Sequence, residues 1–311
     1  MKVLVTGGAG FVGSHVQDAY LEAGHDVVVL DNLSTGRKDF VNDRATFFRI
    51  DIRDREGVFH LFEEAGFDVV NHHAAQMDVR ASVADPVYDA HVNILGGLNL
   101  LEASVKTGVK KFIFASTGGA IYGEQDTFPA DEGHPLHPAS PYGVSKLSLE
   151  KYFDVYEKVY GLRHFILRYG NVYGPRQNPH GEAGVVAIFS QKLVNGEIPT
   201  INGDGKQTRD FVHVSDVVRA NLLALNCPES AIVNIGTGKE SDVNTVFRVL
   251  AECSGNSVEP SHGPPKKGEQ QRSVLDYSLA KELLGWEPTV DLTQGLGDTF
   301  SYFSQQREAK G

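Results

Sequence analysis

Tyr142 and Lys146 stand four residues apart, the interval that puts two side chains on one face of a helix. Ser140 reads as the cap of that helix and Pro141 as its first turn. A phenol beside an ammonium is a candidate proton-transfer group. A free tyrosine has a pKa of about 10, and bringing it near 7 takes about 4 kcal/mol. A lysine roughly 5 Å away supplies on the order of 3 kcal/mol at an effective dielectric of about 20, so one cation is marginal and two suffice. Ser116 and Thr117 follow the apolar run 111–115, read as a strand, and strand ends carry the sites of α/β sheets. A hydroxyl at Thr117 can meet the Tyr142 helix and share the proton of a reacting hydroxyl. The same interval recurs at Tyr277 and Lys281, but no strand-end hydroxyl precedes it. That pair reads as part of a surface helix leading to Leu284-Gly285-Trp286.

A second constellation opens the chain. Gly7, Gly10 and Gly13 form a G-x-x-G-x-x-G loop through Phe11 and Val12, after the apolar run 2–6 and before a helical pattern of Val12, Val16, Ala19, Tyr20 and Ala23. Glycines there let a pyrophosphate lie almost on the backbone at a helix N-terminus. A tight strand–helix turn with nothing bound is the alternative. Asp31 ends the next apolar run, 18 positions past Gly13. An acid there accepts from both ribose hydroxyls of NAD and repels the 2′-phosphate of NADP. Arg37 and Lys38 argue for NADP, but they sit in a loop rather than at the strand tip. Asp51 and Ile52 are placed to flank the adenine, Asp51 toward its amino group. The small Ala74 and Ala75 either let the backbone approach the cofactor or serve core packing. The positive nicotinamide ring of NAD⁺ is then the second cation that the Tyr142 phenol requires.

These groups need rigid elements behind them. Runs at 2–6, 26–30, 46–50, 67–71, 111–115 and 164–168 are mostly apolar on both faces and rich in β-branched or aromatic residues. That composition suits parallel strands covered on both sides, with helices of about a dozen residues as crossovers. The fold class is therefore α/β, a doubly wound parallel (Rossmann) sheet with a smaller C-terminal α/β substrate domain. The expected division is 1–174 for the dinucleotide domain, with a return segment near 215–236, and 175–311 for the substrate domain. Loops at 174–184, 201–207 and 261–270 mark the second unit, and Arg176, Lys206, Arg209, Lys266, Lys267 and Arg272 fall in or near them. Arginine forks in that position suit a pyrophosphate.

Composition sets the bounds. The chain has 311 residues, 41% hydrophobic and 22% charged, which excludes a disordered or fibrous protein. A formal charge of −11 argues against nucleic-acid or anionic-membrane partners. No apolar run approaches the roughly 20 residues of a membrane helix, and MKVLVTGG is too short for a signal peptide. Cys227 and Cys253 form neither a disulfide framework nor a zinc-spaced pair, and read as free, buried thiols. His134 and His137, with Glu132, lack a fourth ligand, so no metal is expected. His72 and His73 adjoin a strand end and pack near the cofactor. A soluble cytoplasmic protein is the expectation.

Taken together, TGGAGFVGSH, DNLSTG, FASTGGAIYGE, SPYGVSK, RYGNVYGPRQ, GDGKQTRDFVHVSDV, NIGTG and LGWEP resemble the extended short-chain dehydrogenase/reductase family over almost the whole chain. Within it, they resemble the NAD-dependent sugar-nucleotide epimerases. The resemblance implies catalysis by Thr117, Tyr142 and Lys146, epimerising carbon 4 of UDP-glucose or UDP-galactose through a transient 4-keto sugar. It implies that Asn32, Ser34, Gly36, Gln76, Asn93, Ser116 and Tyr169 join the cofactor site. On the substrate side it implies Asn171 near the sugar-diphosphate and Arg209 on the diphosphate. Val186, Ile188, Phe189, Thr200 and Ile201 would line the base. Arg272 or Lys266 would reach the second phosphate and Glu269 the uridine ribose, although PPKKGEQQR departs from the arginine-and-aspartate pattern of relatives. A homodimer is implied, with helices at 87–106 and 142–160 pairing as a four-helix bundle. Ser273 stands where some relatives carry a bulky tyrosine, which leaves room for UDP-GlcNAc and UDP-GalNAc.

Sister 4,6-dehydratases carry an Asp-Glu pair directly after the catalytic threonine. Here Gly118, Gly119 and Ala120 follow Thr117, so elimination has no proton shuttle. Two other readings stay open. One is a different nucleotide-sugar enzyme of the same fold, such as a UDP-glucuronate epimerase or decarboxylase, or a reductase. The other is a non-catalytic dinucleotide-binding protein.

Overall fold

The computed structural model describes residues 1–180, 184–255, 258–265 and 270–308. Seven strands make its main sheet: β1 (Lys2–Thr6), β2 (Asp26–Leu30), β3 (Thr46–Phe48), β4 (Val69–His72), β5 (Lys111–Thr117), β6 (Arg163–Tyr169) and β7 (Ala231–Ile235). All pair in parallel, in the order β7-β6-β5-β4-β1-β2-β3. Successive residues of a strand point to opposite faces, and here both faces are apolar. Val3, Val5, Val27 and Val29 pack on one side with Val16, Tyr20, Val217 and Ala220. Leu4, Val28, Leu30 and Val70 pack on the other with Phe62, Leu100, Leu149 and Phe153. The chain winds away from β1 in both directions, so the cleft between the C-terminal ends of β1 and β4 is the switch point where such sheets bind ligands.

Strand limits differ from the sequence reading where pairing decides them. β3, an edge strand, stops after three residues, where its pairing with β2 ends at Leu30–Phe48. β5 and β6 run two residues and one residue further than the apolar runs, because Ser116 pairs with Arg168 and Thr117 with Tyr169. Thr117 is thus the last residue of a strand rather than a residue beyond it. The helical stretch from Pro86 to Thr107 contains a wide π turn over His91–Leu95, which carries Asn93 inward.

A third core lies over the C-terminal edge of the sheet. Tyr173, Val186, Phe189, Ile201, Phe247 and Leu296 form it, with the helices Val185–Val194, Val243–Ser254 and Leu292–Glu308 around them. The helix Val214–Asn226 and β7 lie on the main sheet, in the stretch read as a return segment. Ala280 and Trp286, which the sequence reading assigned to the second unit, also pack in the sheet's core, and the Trp286 indole donates to the Asp216 carbonyl at 2.9 Å. Among the described residues no helix is long and apolar enough to cross a membrane. Both cysteines are free, but Cys253 is exposed and Cys227 half-buried, which corrects the expectation of two buried thiols.

Candidate active site

The glycine loop crosses the switch point. Gly7 has φ +68°, and a Cβ there would lie 2.5 Å from the Ala74 nitrogen after β4. A Cβ on Gly13 would lie 2.3 Å from the Gly7 carbonyl oxygen. These two glycines therefore serve the chain's own close approach. Gly10 is different, because its Cβ would meet only the Gly7 oxygen, at 3.1 Å. Gly10 caps the helix Phe11–Glu22 with no side-chain hydrogen bond, and the first turn carries no acid. The N–H groups of Phe11 and Val12 open the helix without an intrahelical acceptor. This cradle fits the pyrophosphate of a dinucleotide, with the missing Gly10 side chain leaving the approach open.

The ribose and adenine side is already organised. Asp31 accepts from the Ala9 nitrogen at 3.0 Å and the Leu33 nitrogen at 2.8 Å. Burial pushes its carboxyl up and these donors pull it back. A Cβ on Gly36 would come within 2.9 Å of an Asp31 oxygen, so glycine is what lets the loop fold over it. The Ser34 nitrogen donates to Asn32, whose amide donates to Asp51 at 2.8 Å. The Arg37 guanidinium is held by Asp39 and stacks on Phe40, and the Lys38 ammonium lies over Phe47. That engagement removes the main argument for NADP. Asp51 faces Arg53, whose guanidinium holds the carboxyl well below the usual range. The Ile52 side chain is buried against Gly96, so its proposed place beside the adenine falls to its backbone.

Lys146 and Tyr142 are anchored beside the end of β5, whose last residue is Thr117. Ser140 accepts from the Gly143 nitrogen and caps the helix Pro141–Tyr160. A Cβ on Gly143 would lie 2.5 Å from the Ala120 carbonyl, so glycine lets the first turn of this helix sit against the turn that follows Thr117. Thr117 accepts from the Ala120 nitrogen at 3.3 Å, which leaves its hydroxyl hydrogen available to a ligand. The Lys146 ammonium donates to the Ala115 carbonyl at 2.9 Å and stands 6.0 Å from the centre of the Tyr142 ring.

Electrostatics depart from the sequence reading. Burial, and then the Asp89 carboxylate, push the Tyr142 phenol up rather than down. Burial lowers Lys146 to about 8, opposed by Asp89 and Glu150. The chain's own groups therefore do not make the phenol acidic, because desolvation outweighs the single ammonium.

Two buried networks stand behind these residues. Ser116 donates to Glu150 at 2.5 Å, and Glu150 holds Arg168 through two bonds of 2.7 and 3.1 Å. The Ser116 hydroxyl is thus committed to an internal ion pair, which leaves its backbone for the proposed cofactor contact. The Tyr169 hydroxyl accepts from Asn221 at 2.9 Å and its ring stacks on His73, so that side chain too is turned into the core. Asn93 clamps the Gln76 backbone, accepting from its nitrogen and donating to its carbonyl. Gln76 and Asn93 both donate to Asp89. These two residues shape the loop after β4, and their side-chain amides are spent within it. Asp89, Glu150 and Arg168 were missed as site residues. For Asp89 and Glu150 the available signal was their four-residue spacing from Asn93 and Lys146, and Arg168 had none.

On the substrate side, Asn171 is exposed beside the tip of β6. Arg209 donates to the Thr208 carbonyl at 2.8 Å. Ile188 and Thr200 are at least partly accessible, and the Thr200 hydroxyl pairs with Ser261. Val186, Phe189 and Ile201 are buried in the third core, so their side chains do not line a base site. Arg272 is bound bidentately by Glu240 and stacks on Phe128, at the exposed edge of the site. Arg176 likewise reaches Asp18 at 2.8 Å. Lys266, Lys267 and Glu269 lie outside the described residues. His134 uses both ring nitrogens on its own loop, with Asp126 and Pro135. Lys281 is exposed and paired with Glu287, while Tyr277 packs on Trp286.

The family model described as the NAD dependent epimerase/dehydratase family matches residues 3–236. The chain belongs to this family. It is 51% identical to the UDP-glucose 4-epimerase of Thermotoga maritima, whose crystal structure was solved with UDP-glucose. That structure superposes with a TM-score of 0.97, over 99% of this chain and 100% of that one. The UDP-glucose 4-epimerase of Thermus thermophilus, solved with NAD, is 48% identical with a TM-score of 0.92, over 97% and 99% of the two chains. The UDP-glucose 4-epimerase of Mycolicibacterium smegmatis is 42% identical over 314 residues, covering 99% of this chain and all of its relative.

Within an NAD-dependent epimerase/dehydratase, the residues after Thr117 bear on the reaction. A Cβ on Gly118 would lie 2.6 Å from a Leu275 methyl, so an acid there would have to displace a buried leucine. Gly119 has ordinary space, facing Ser273 at 3.5 Å. The acid pair of an elimination is absent, and an acid at position 118 would require Leu275 to move.

Proposed function

We propose that this family member is an NAD-dependent 4-epimerase of UDP-sugars, interconverting UDP-glucose and UDP-galactose. The observation that carries the reading is the Tyr142–Lys146 pair anchored on Ala115, two residues before the strand-end Thr117, which no acid pair follows. The similarity to UDP-glucose 4-epimerases over nearly the full chain supports it.

Held by the Gly10 cradle and Asp31, NAD⁺ would supply a hydride acceptor for carbon 4 and a second positive charge near the phenol. Tyr142 takes the proton of the 4-hydroxyl and later returns it. Lys146, anchored on Ala115, holds positive charge beside the phenol as its proton leaves. Thr117 donates its free hydroxyl hydrogen to the reacting oxygen and orients it. The Gly10 cradle and Asp31 hold the dinucleotide so that it stays bound between turnovers. The test is conversion of UDP-galactose to UDP-glucose by purified protein with no NAD added. No conversion, even with NAD restored, rejects the reading. Release of CO₂ from UDP-glucuronate, or net NADH, would identify one of the other nucleotide-sugar enzymes instead.

A wider sugar range has its own support. Ser273 is buried beside Gly119 and is small, so N-acetylated UDP-sugars are read as substrates. A strict preference for plain glucose and galactose rejects this. A homodimer is supported by exposed Val87, Leu95, Val144, Val155 and Val159 on the two helical stretches expected to pair. A cytoplasmic location is our reading, consistent with two free thiols.

A further inference from the structure

Asp89 is a fully buried carboxylate that the mechanism above does not use. One oxygen accepts from the Gln76 amide at 2.9 Å and the Asn93 amide at 3.0 Å. The other accepts from the Ser145 hydroxyl at 2.6 Å. Gln76 belongs to the loop after β4 that meets the glycine cradle, and Ser145 precedes Lys146 on the catalytic helix. The carboxylate therefore joins the cofactor side of the cleft to the proton-transfer side.

We infer that Asp89 is a positioning residue that locks the Ala74–Gln76 loop to the Tyr142–Lys146 helix and whose charge sets the pH window of the pair. This rests on the epimerase reading. Its charge opposes loss of a proton from both Tyr142 and Lys146. Of the other ionisable groups facing Lys146, Glu150 acts on it in the same direction as Asp89 but is itself paired with Arg168 of β6, and it makes no bond to the loop after β4. His72 and His73 at the end of β4 are held neutral by burial and by Lys146 itself. The hydrogen-bond pattern allows charge to be separated from geometry. An asparagine at position 89 can keep its oxygen toward Gln76 and Asn93 and turn its amide to Ser145, whose hydroxyl can accept.

The test compares Asp89→Asn and Ser145→Ala with the unaltered holoenzyme. Asp89→Asn moves both limbs of the kcat profile toward acid by about one pH unit. Ser145→Ala bares one oxygen of the charge and moves them the other way. The ¹³C resonance of the Tyr142 ring, assigned against Tyr142→Phe, follows the same shifts without turnover. An Asp89→Asn enzyme that loses activity equally at every pH, with unmoved limbs, has lost structure only and overturns the proposal. So does a fully active Ser145→Ala enzyme with unmoved limbs, even if Asp89→Asn does not fold. Absence of turnover in the unaltered protein instead rejects the epimerase reading, and the resonance titration still judges Asp89.

Discussion

The Lys146 ammonium donates to the Ala115 carbonyl at 2.9 Å, tying the catalytic helix to β5 two residues before Thr117. The bond joins positions 31 apart in sequence and fixes where the phenol four residues earlier on the helix stands. It also places the ammonium over the Phe114 ring at 4.6 Å, so the charge is held largely out of water.

Tyr142→Phe removes the only oxygen that takes the substrate proton. Turnover is expected to fall by about 10²–10⁴-fold. Bound NAD, measured by release from the denatured protein, is expected to stay near its original content. Retained activity would reject the assignment of the base.

Lys146 is expected to set an alkaline limb of the pH profile. Burial lowers it to about 8, so the ammonium is present below that pH and lost above it. The neutral amine neither holds charge beside Tyr142 nor bonds Ala115 as strongly, and kcat should fall as pH rises through about 8. Lys146→Met should remove that limb along with most of the activity. An alkaline limb that survives the substitution belongs to another group.

The glycine loop separates folding from cofactor binding. A Cβ on Gly13 meets backbone at 2.3 Å, so Gly13→Ala should destabilise the protein by about 1–3 kcal/mol even without NAD. Gly10→Ala has a single tight contact at 3.1 Å and should keep the fold while losing NAD. Chemical denaturation and cofactor content together read the two effects. Equal loss of stability in both variants would reject the distinction.

Buried histidines predict acid sensitivity. Burial, with Lys146 adding to it, lowers His73 to about 3, and the same causes take His72 well below its ordinary value. The unfolded chain protonates both near about 6.5, so it binds more protons than the folded state below that pH. Stability is therefore full above about 6.5 and falls as pH drops toward about 3. His73→Phe should make the fall shallower by one proton, as read from unfolding free energy against pH. An unchanged slope would show that His73 is not held neutral.

The exposed valines test the assembly. Val155 and Val159 are 51% and 63% exposed on one helix. If two chains pair there, replacing both with glutamate should give a monomer by light scattering, because each like-charged pair would be desolvated at the interface. A wild-type monomer would reject the dimer directly.

Much of this protein could be read without coordinates. The limits of β1 and β2 follow from apolar runs ended by turn residues, and Gly24, at φ +82°, follows the first helix as expected. The glycine loop and the Tyr142–Lys146 face are local, since each is fixed by spacing along a single element. Less legible were the ends of β3, β5 and β6, which depend on a neighbouring strand rather than on hydropathy.

The sequence by itself determined which elements form, in what order, and which residues could carry charge or a proton. Tertiary structure alone decided which way those residues face and what they are worth there. The side chains of Ile52, Ser116, Tyr169, Val186 and Ile201 turn into cores or networks, and Arg272 pairs with Glu240. Asp89 gained its importance from donors up to 56 positions away. The reason is physical: desolvation and pairing energies depend on the whole surrounding shell, and no interval along the chain records what that shell contains.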